Sequence, residues 1–178
     1  SVRKFRDQRV PRKDLIELVD YARLAPSGMN KQPLEFVIVD EPALEQELFE
    51  YTSWAGALDW NPGEKERPRA YILILVNSKT KPVTENRDAG LASGNICLGA
   101  TDKGLDSCLQ IPSEKEGIRR LLDIPNDRVI NMAVGLGYSD QETKLEEGSD
   151  DIDYWFDEEG VFHVPKKPVE DILHINRW

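Results

Sequence analysis

The stretch Ala70-Tyr71-Ile72-Leu73-Ile74-Leu75-Val76 is the longest apolar run in the chain. It is far shorter than the roughly 20 residues that a membrane-spanning helix needs, so its length suits a buried strand. Successive side chains of a strand point to opposite faces, and here both faces are apolar. The stretch therefore predicts a central strand of a sheet that is covered on both sides.

Helical periodicity and helix-breaking residues place the other elements around this strand. We predict helices at 11–25, 42–51, 84–103, 114–122 and 168–174, strands at 34–39, 105–109 and 128–135, and a hairpin from Tyr154 to Val164. Residues 52–69 are expected to be irregular, and the acidic stretch Asp140 to Asp153 to be a solvated loop. No repeat or low-complexity linker divides the sequence. We therefore expect one α+β domain over residues 1–178.

Net charge and the numbers of cysteines and histidines argue against several classes of protein. Aspartate plus glutamate number 33 against 23 lysines and arginines, which gives a net charge of −10 and disfavours generic nucleic-acid binding. Two cysteines (Cys97 and Cys108) and two histidines (His163 and His174) supply neither a disulfide framework nor a rich set of metal ligands. We expect all four to be structural, no metal, no membrane segment, and a cytoplasmic protein.

The predicted helix at 84–103 is rich in glycine, alanine and serine. Glycine inside a helix costs about 1 kcal/mol relative to alanine, so Gly90, Gly94 and Gly99 need a reason. One reason is close packing against another helix of the same chain. The other is close packing across a subunit interface, and the sequence is compatible with both.

Several short motifs occur along the chain. Ser1-Val2-Arg3-Lys4-Phe5 opens it, residues 25–33 read APSGMNKQP, and Val164-Pro165-Lys166-Lys167-Pro168 lies near its end. Together they resemble the FMN-dependent nitroreductase family, whose opening motif, Ala-Pro-Ser-x-x-Asn-x-Gln-Pro motif and basic closing segment occur in this order. Residues 88–95 and 103–108 follow the family's central helix and the strand after it. The resemblance covers essentially the whole chain.

This resemblance implies a fold, a cofactor and an assembly. The fold would be α+β, with a central, mostly antiparallel sheet flanked by helices. The protein would be a homodimer with FMN at the interface and a long central helix between the subunits. NADH or NADPH would reduce the flavin, and a nitroaromatic, quinone or flavin-type substrate would reoxidise it in a ping-pong cycle. Because the cofactors carry out hydride transfer, we expect no dedicated catalytic residue.

The resemblance also implies the residues that bind the cofactor. The candidates are Ser1, Arg3, Pro26, Ser27, Asn30, Gln32, Gln110, Ile111, Gly135, Gly137, Lys166 and Lys167. Arg3 and one of the two lysines would hold the phosphate, since neighbouring side chains of an extended segment point in opposite directions. Alternatively, these lysines and arginines are ordinary surface charges, residues 26–32 are an ordinary turn, and the two glycines simply end a strand.

Other functions remain open at this point. The same scaffold could remodel flavin or remove halogen from an aromatic ring, or the protein could carry flavin without turnover. A cofactor-free domain would require the motifs to match by accident. Trp54 and Trp60 could form an aromatic cover over the flavin, although tryptophan is more often a packing residue.

Overall fold

The structure is a computed structural model that describes the whole chain except residues 55, 57, 59 and 149–151. The described residues form two compact units. The first consists of Ser1–Trp54 and Asn61–Asp140, and the second of Gln141–Trp178 with the short segment ending at Trp60. Each unit is described separately below, and a single domain over the whole chain stays a prediction.

The first unit contains four helices and four strands in alternation. In chain order they are α1 (Arg12–Arg23), β1 (Leu34–Val39), α2 (Pro42–Phe49), β2 (Ala70–Asn77), α3 (Glu85–Asp102), β3 (Asp106–Gln110), α4 (Lys115–Leu121) and β4 (Arg128–Gly137). Short 3₁₀ turns lie at Gly28–Asn30, Glu64–Glu66 and Ser78–Thr80. These bounds agree with the predicted elements to within a few residues.

The four strands form one antiparallel sheet in the order β1-β2-β4-β3. The apolar run thus lies centrally, as its sequence predicts. Ile72 and Ile74 join the core with α1 and α3 on one face. Leu73 and Leu75 join the core with α2 and α4 on the other face. The prediction of an antiparallel sheet flanked by helices is therefore confirmed.

Helix α3 uses its small residues differently on its two sides. On the inner side, Gly99 packs so closely against α1 that an added Cβ would lie 2.4 Å from Tyr21 Cδ2. On the outer side, a Cβ at Gly90 or Gly94 would have no neighbour within 4 Å, and Leu98 is 74% exposed. Packing within the chain therefore explains Gly99 and leaves the outer face open. No helix of the described part of the chain has the length and apolar character needed to cross a membrane.

The second unit is built on a three-stranded sheet. Strand β7 (Phe162–Lys166) pairs in parallel with β5 (Thr143–Glu147) and antiparallel with β6 (Trp155–Phe156). The β6–β7 pair confirms the predicted hairpin, and Gly160 takes a φ of 83° in its turn. The prediction of a loop throughout 140–153 is wrong at β5, while residues 149–151 lie outside the described residues. The last helix, α5, is limited to Val169–Ile172.

Candidate active site

A pocket of about 160 Å³ lies beside the turn that connects α1 to β1. Pro26, Ser27 and Gln32, three of the predicted cofactor residues, contribute to its wall. Apolar side chains from α1 and β1 line it as well, and Asp88 approaches it from α3. The pocket thus combines an apolar surface with a few polar groups, as small-molecule sites commonly do.

The turn beside the pocket has an unusual backbone. Met29, Asn30 and Gln32 take φ values of 51°, 53° and 46°, in the left-handed region. That conformation costs about 1–2 kcal/mol for a residue other than glycine, so the rest of the structure must hold it. Within the turn, Ser27 Oγ accepts a hydrogen bond from the Gln32 N–H at 3.0 Å. Asn30 itself is exposed and lies outside the pocket wall.

Asp88 links this turn to α3. Its side chain is 4% exposed, and its Oδ1 accepts hydrogen bonds from the Gly28 N–H at 3.1 Å and from the Thr84 hydroxyl at 2.8 Å. Asp88 is not among the site residues that the sequence predicts. A signal was present, because Asp88 shares a four-residue spacing with the buried Ala92 and Ile96 and so places a carboxylate on the buried side of the helix.

A second group of predicted residues lies at β3. The Val2 N–H donates to the Ser107 carbonyl at 3.0 Å, which brings Ser1 and Arg3 beside this strand. Gln110 ends β3 and is 4% exposed, and neither polar atom of its side chain has a hydrogen-bond partner in the described part of the chain. Ile111, the next residue, is 74% exposed.

Gly135 and Gly137, the two glycines of β4 that are predicted to approach the cofactor, pack against other side chains of the chain. A Cβ on Gly135 would lie 2.9 Å from Pro68 Cγ, and one on Gly137 would lie 2.7 Å from Phe5 Cδ1. Close packing of these two rings therefore accounts for both glycines. Contact of their backbone with a cofactor stays a prediction.

The structure places the two groups at opposite edges of the first unit's sheet. The Ser27–Gln32 turn leads into β1, whereas Gln110 belongs to β3. These strands are separated by β2 and β4, and with neighbouring strands about 4.8 Å apart the two edges lie roughly 14 Å from each other. One chain alone does not bring the predicted residues of the first unit to a single point.

Lys166 and Lys167 belong to the second unit. Lys166 is the last residue of β7 and pairs with Glu147 of β5, and both lysine side chains are exposed. Their exposed amines are available to an anionic ligand. The predicted phosphate clamp, which combines one of them with Arg3, stays a prediction.

His163 and Cys108 have surroundings that fit a structural role, whereas His174 is exposed. His163 Nδ1 lies 2.8 Å from Glu146 Oε1 and its Nε2 lies 3.0 Å from Asp157 Oδ2, and these two carboxylates raise the pKa of His163. Burial raises the pKa of the Cys108 thiol, which keeps it protonated. No cluster of three or more potential metal ligands occurs among the residues that the structure describes.

Of the two roles considered for Trp54, the structure supports packing and not an aromatic cover. Trp54 is 6% exposed and stacks on Phe49 with ring centroids 5.5 Å apart. The ring of Phe5 lies nearly perpendicular to that of Trp54, with the ring centroids 6.4 Å apart. It is therefore a core residue of the first unit. Trp60 packs against Phe156 within the second unit.

Comparison with known proteins gives consistent similarities. The model of the Nitroreductase family matches residues 1–138. The chain is 29% identical to an iodotyrosine deiodinase of Thermotoga neapolitana, over 79% of this chain and 84% of that protein. It is also 29% identical to a putative NADH dehydrogenase/NAD(P)H nitroreductase of Methanothermobacter thermautotrophicus, over 78% and 72% of the two chains. An FMN-dependent nitroreductase from Clostridium difficile shares its fold, with a TM-score of 0.73, 24% identity, and 100% and 95% of the two chains covered.

Proposed function

The chain belongs to the nitroreductase family, and from that membership we propose that it is an FMN-dependent oxidoreductase. Bound FMN would supply the redox chemistry, taking hydride from NADH or NADPH and passing electrons to a nitroaromatic, quinone or flavin-type acceptor in a ping-pong cycle. The chain's own residues would bind and orient the flavin and the two substrates.

The observation that carries this proposal is the pocket beside the Ser27–Gln32 turn. The edge of an isoalloxazine ring presents carbonyl oxygens and ring nitrogens, which need short polar partners on a stiff backbone. Ser27 and Gln32 provide such groups at the pocket, and Pro26 restricts the backbone next to them. The buried amide of Gln110 also fits, since a buried polar group without a partner is rare in a complete structure.

We further propose that two copies of the chain share each flavin site. The pocket of about 160 Å³ is below the roughly 300–1,000 Å³ of typical cofactor sites, so one chain encloses only part of the ligand. A second copy would bring its β3 edge to the first copy's turn. The outer face of α3, where Leu91 is 49% and Leu98 is 74% exposed, would form the contact.

Phosphate binding would require local cations, because a body with a net charge of −10 repels anions. Arg3 and one of Lys166 and Lys167 would supply them, as the resemblance implies. We also propose a cytoplasmic location, because Cys97 and Cys108 are free thiols.

A second candidate function is reductive dehalogenation of an aromatic substrate. The observation in its favour is the similarity to an iodotyrosine deiodinase, which covers 84% of that protein. The binding residues would be the same, and only the electron acceptor would differ.

The first test is to purify the protein under native conditions, record its visible absorbance, and add NADH or NADPH without oxygen. We expect flavin absorbance bands that correspond to about one bound flavin per chain. These bands should bleach when a reduced nicotinamide is added. Flavin that does not bleach would instead indicate a carrier or a different reductant. Protein that neither contains flavin nor takes up added FMN would contradict the proposal. With bleached enzyme in hand, reoxidation by a nitroaromatic, a quinone or iodotyrosine would separate the two candidate functions.

A further inference from the structure

The Ser27–Gln32 turn has a backbone conformation that is uncommon for residues other than glycine. Met29, Asn30 and Gln32 all take positive φ values, although none of them is glycine. Of the three, asparagine adopts this region most readily, whereas for methionine and glutamine the conformation is unfavourable in free energy. The bond from the Gln32 N–H to Ser27 Oγ supports this shape from within the turn, and contacts from outside the turn add to it.

A contact of this kind comes from α3, sixty residues further along the chain. Asp88 Oδ1 accepts the Gly28 N–H at 3.1 Å, at the point where the left-handed residues begin. A hydrogen bond that involves an ionised group is stronger than one between neutral groups, and burial of Asp88 strengthens it further.

The orientation of the Asp88 carboxylate is fixed in its turn by Thr84. The Thr84 hydroxyl donates to the same Oδ1 at 2.8 Å, and the Asp88 N–H donates to the Thr84 carbonyl at 2.8 Å. Gly28 lies so close that an added Cβ would be 2.0 Å from Thr84 Oγ1. The start of α3 and the turn are thus closely packed at Gly28, where a side chain would not fit.

We propose that Asp88 is the positioning residue of the flavin site, which holds the Ser27–Gln32 turn in its binding shape through the Gly28 N–H. This inference rests on the proposed function, because the ligand of the turn is the flavin. Asp88 would act through the turn, by presenting Ser27 and Gln32 at fixed positions. Since Asp88 belongs to α3, the same bond would tie the flavin turn to the proposed subunit contact.

The test compares three substitutions in the purified protein, with and without added FMN. Asp88→Ala removes the acceptor, Asp88→Asn keeps an oxygen at the same place, and Ser93→Ala is the matched control. Ser93 is a buried polar residue of the same helix, but its hydroxyl donates to the Gly90 carbonyl of its own helix. The measurements are the FMN dissociation constant by fluorescence quenching, amide hydrogen exchange at residues 28–32, and the melting temperature without FMN.

For Asp88→Ala we expect an FMN dissociation constant raised roughly ten- to a hundredfold, the usual consequence of losing a hydrogen bond to a charged group. Exchange at residues 28–32 should accelerate in the flavin-free protein. Asp88→Asn should have a dissociation constant within a few-fold of the parent's. Ser93→Ala should change neither the dissociation constant nor the exchange at residues 28–32.

The proposal is overturned if Asp88→Ala lowers the melting temperature while its folded form binds FMN like the parent, because that is a purely structural role. It is also overturned if Ser93→Ala weakens FMN binding as much as Asp88→Ala. Failure of the proposed function looks different, since the parent protein would then bind no FMN. In that case, unchanged exchange at residues 28–32 in Asp88→Ala would still refute the positioning role.

Discussion

Gly99 of α3 lies against the ring of Tyr21 of α1, so closely that a single added methyl group would lie 2.4 Å from Tyr21 Cδ2. The ring is held in place, because the Tyr21 hydroxyl donates to Glu17 Oε1 at 2.5 Å. Glu17 is bound in addition by Lys103, whose Nζ lies 2.6 Å from its Oε2. The distance between the two helices is thus set by the absence of a side chain at one position.

Gly99→Ala should therefore destabilise the protein, although alanine is the better helix former. Overpacking a filled contact typically costs about 1–3 kcal/mol, which equals the gain of about 1 kcal/mol in helix propensity at its lower limit and exceeds it over the rest of the range. Urea unfolding followed by circular dichroism measures the change. Gly94→Ala is the matched control when both variants are unfolded at a concentration low enough to exclude contact between subunits, since nothing of the same chain lies within 4 Å of its added Cβ. Equal losses in both variants would contradict this explanation.

The proposed contact between subunits predicts the effect of a charge on the outer face of α3. Leu98→Lys should shift the protein from dimer toward monomer in sedimentation velocity, because burying an unpaired ammonium group at an apolar interface is unfavourable. Ile16→Lys is the control, since Ile16 is 57% exposed on a different helix. A dimer that persists unchanged in Leu98→Lys would place the interface elsewhere.

Phosphate recognition by the C-terminal lysines predicts a difference between two neighbouring substitutions. Either Lys166→Gln or Lys167→Gln should weaken FMN binding several-fold, and the other should not, because adjacent side chains in an extended segment point apart. Isothermal titration with FMN and with riboflavin, which lacks the phosphate, gives the measurement. The sensitive variant should lose affinity for FMN only. Equal affinities of both variants and the parent would rule out a lysine contact with the phosphate.

The charge state of His163 predicts how the second unit responds to pH. Its bonds to Asp157 and Glu146 raise its pKa above the ordinary value of 6.5, so the stability they provide is complete below pH 6.5 and is lost as pH rises through the higher folded value. The bonds to His163 also lower the pKa of both carboxylates, so their contribution is lost as pH falls through values below 3.8 and 4.5. Stabilisation should therefore be greatest between about pH 4.5 and 6.5.

An NMR titration of the His163 ring protons measures the pKa of His163 in the folded protein. Asp157→Asn should lower the midpoint, because Asp157 provides the larger of the two effects. Glu158→Gln changes the exposed neighbouring carboxylate and should leave the midpoint nearly in place. The parallel ring of Trp155, with its centroid 4.8 Å away, favours the charged imidazole further. A midpoint below 6.5 in the parent would contradict stabilisation of the charged imidazole by the two carboxylates.

The sequence predicts most of the first unit because its strands are buried. Every residue of β2 from Ala70 to Val76 is apolar, so both faces of the strand are apolar. A strand buried on both faces therefore shows in the sequence as a continuous apolar run. β5 has no such pattern. Four of its five residues are exposed, and it is ordered by backbone pairing with β7, which sequence periodicity does not encode.

The candidate site shows the same limit. The motif at residues 25–33 identifies Pro26, Ser27 and Gln32 because they are neighbours in the chain. The spacing of Asp88 predicts only that its carboxylate lies on the buried side of the helix. It does not identify the partner, Gly28, which lies sixty residues earlier in the chain. For Trp54, the packing role that the sequence favoured over an aromatic cover is the one found, although only the folded chain shows that Phe5 and Phe49 are its partners.

The separation of the turn and β3 at opposite edges of one sheet has a genetic consequence on the proposed assembly. Each flavin site would take its turn from one chain and its β3 edge from the other. Two variants, one defective in the turn and one defective at β3, would each form inactive dimers. Mixed dimers of the two would contain one site with both defects and one site with neither. Co-expression of two inactive alleles should then restore flavin binding, whereas two alleles defective in the same edge should not complement each other.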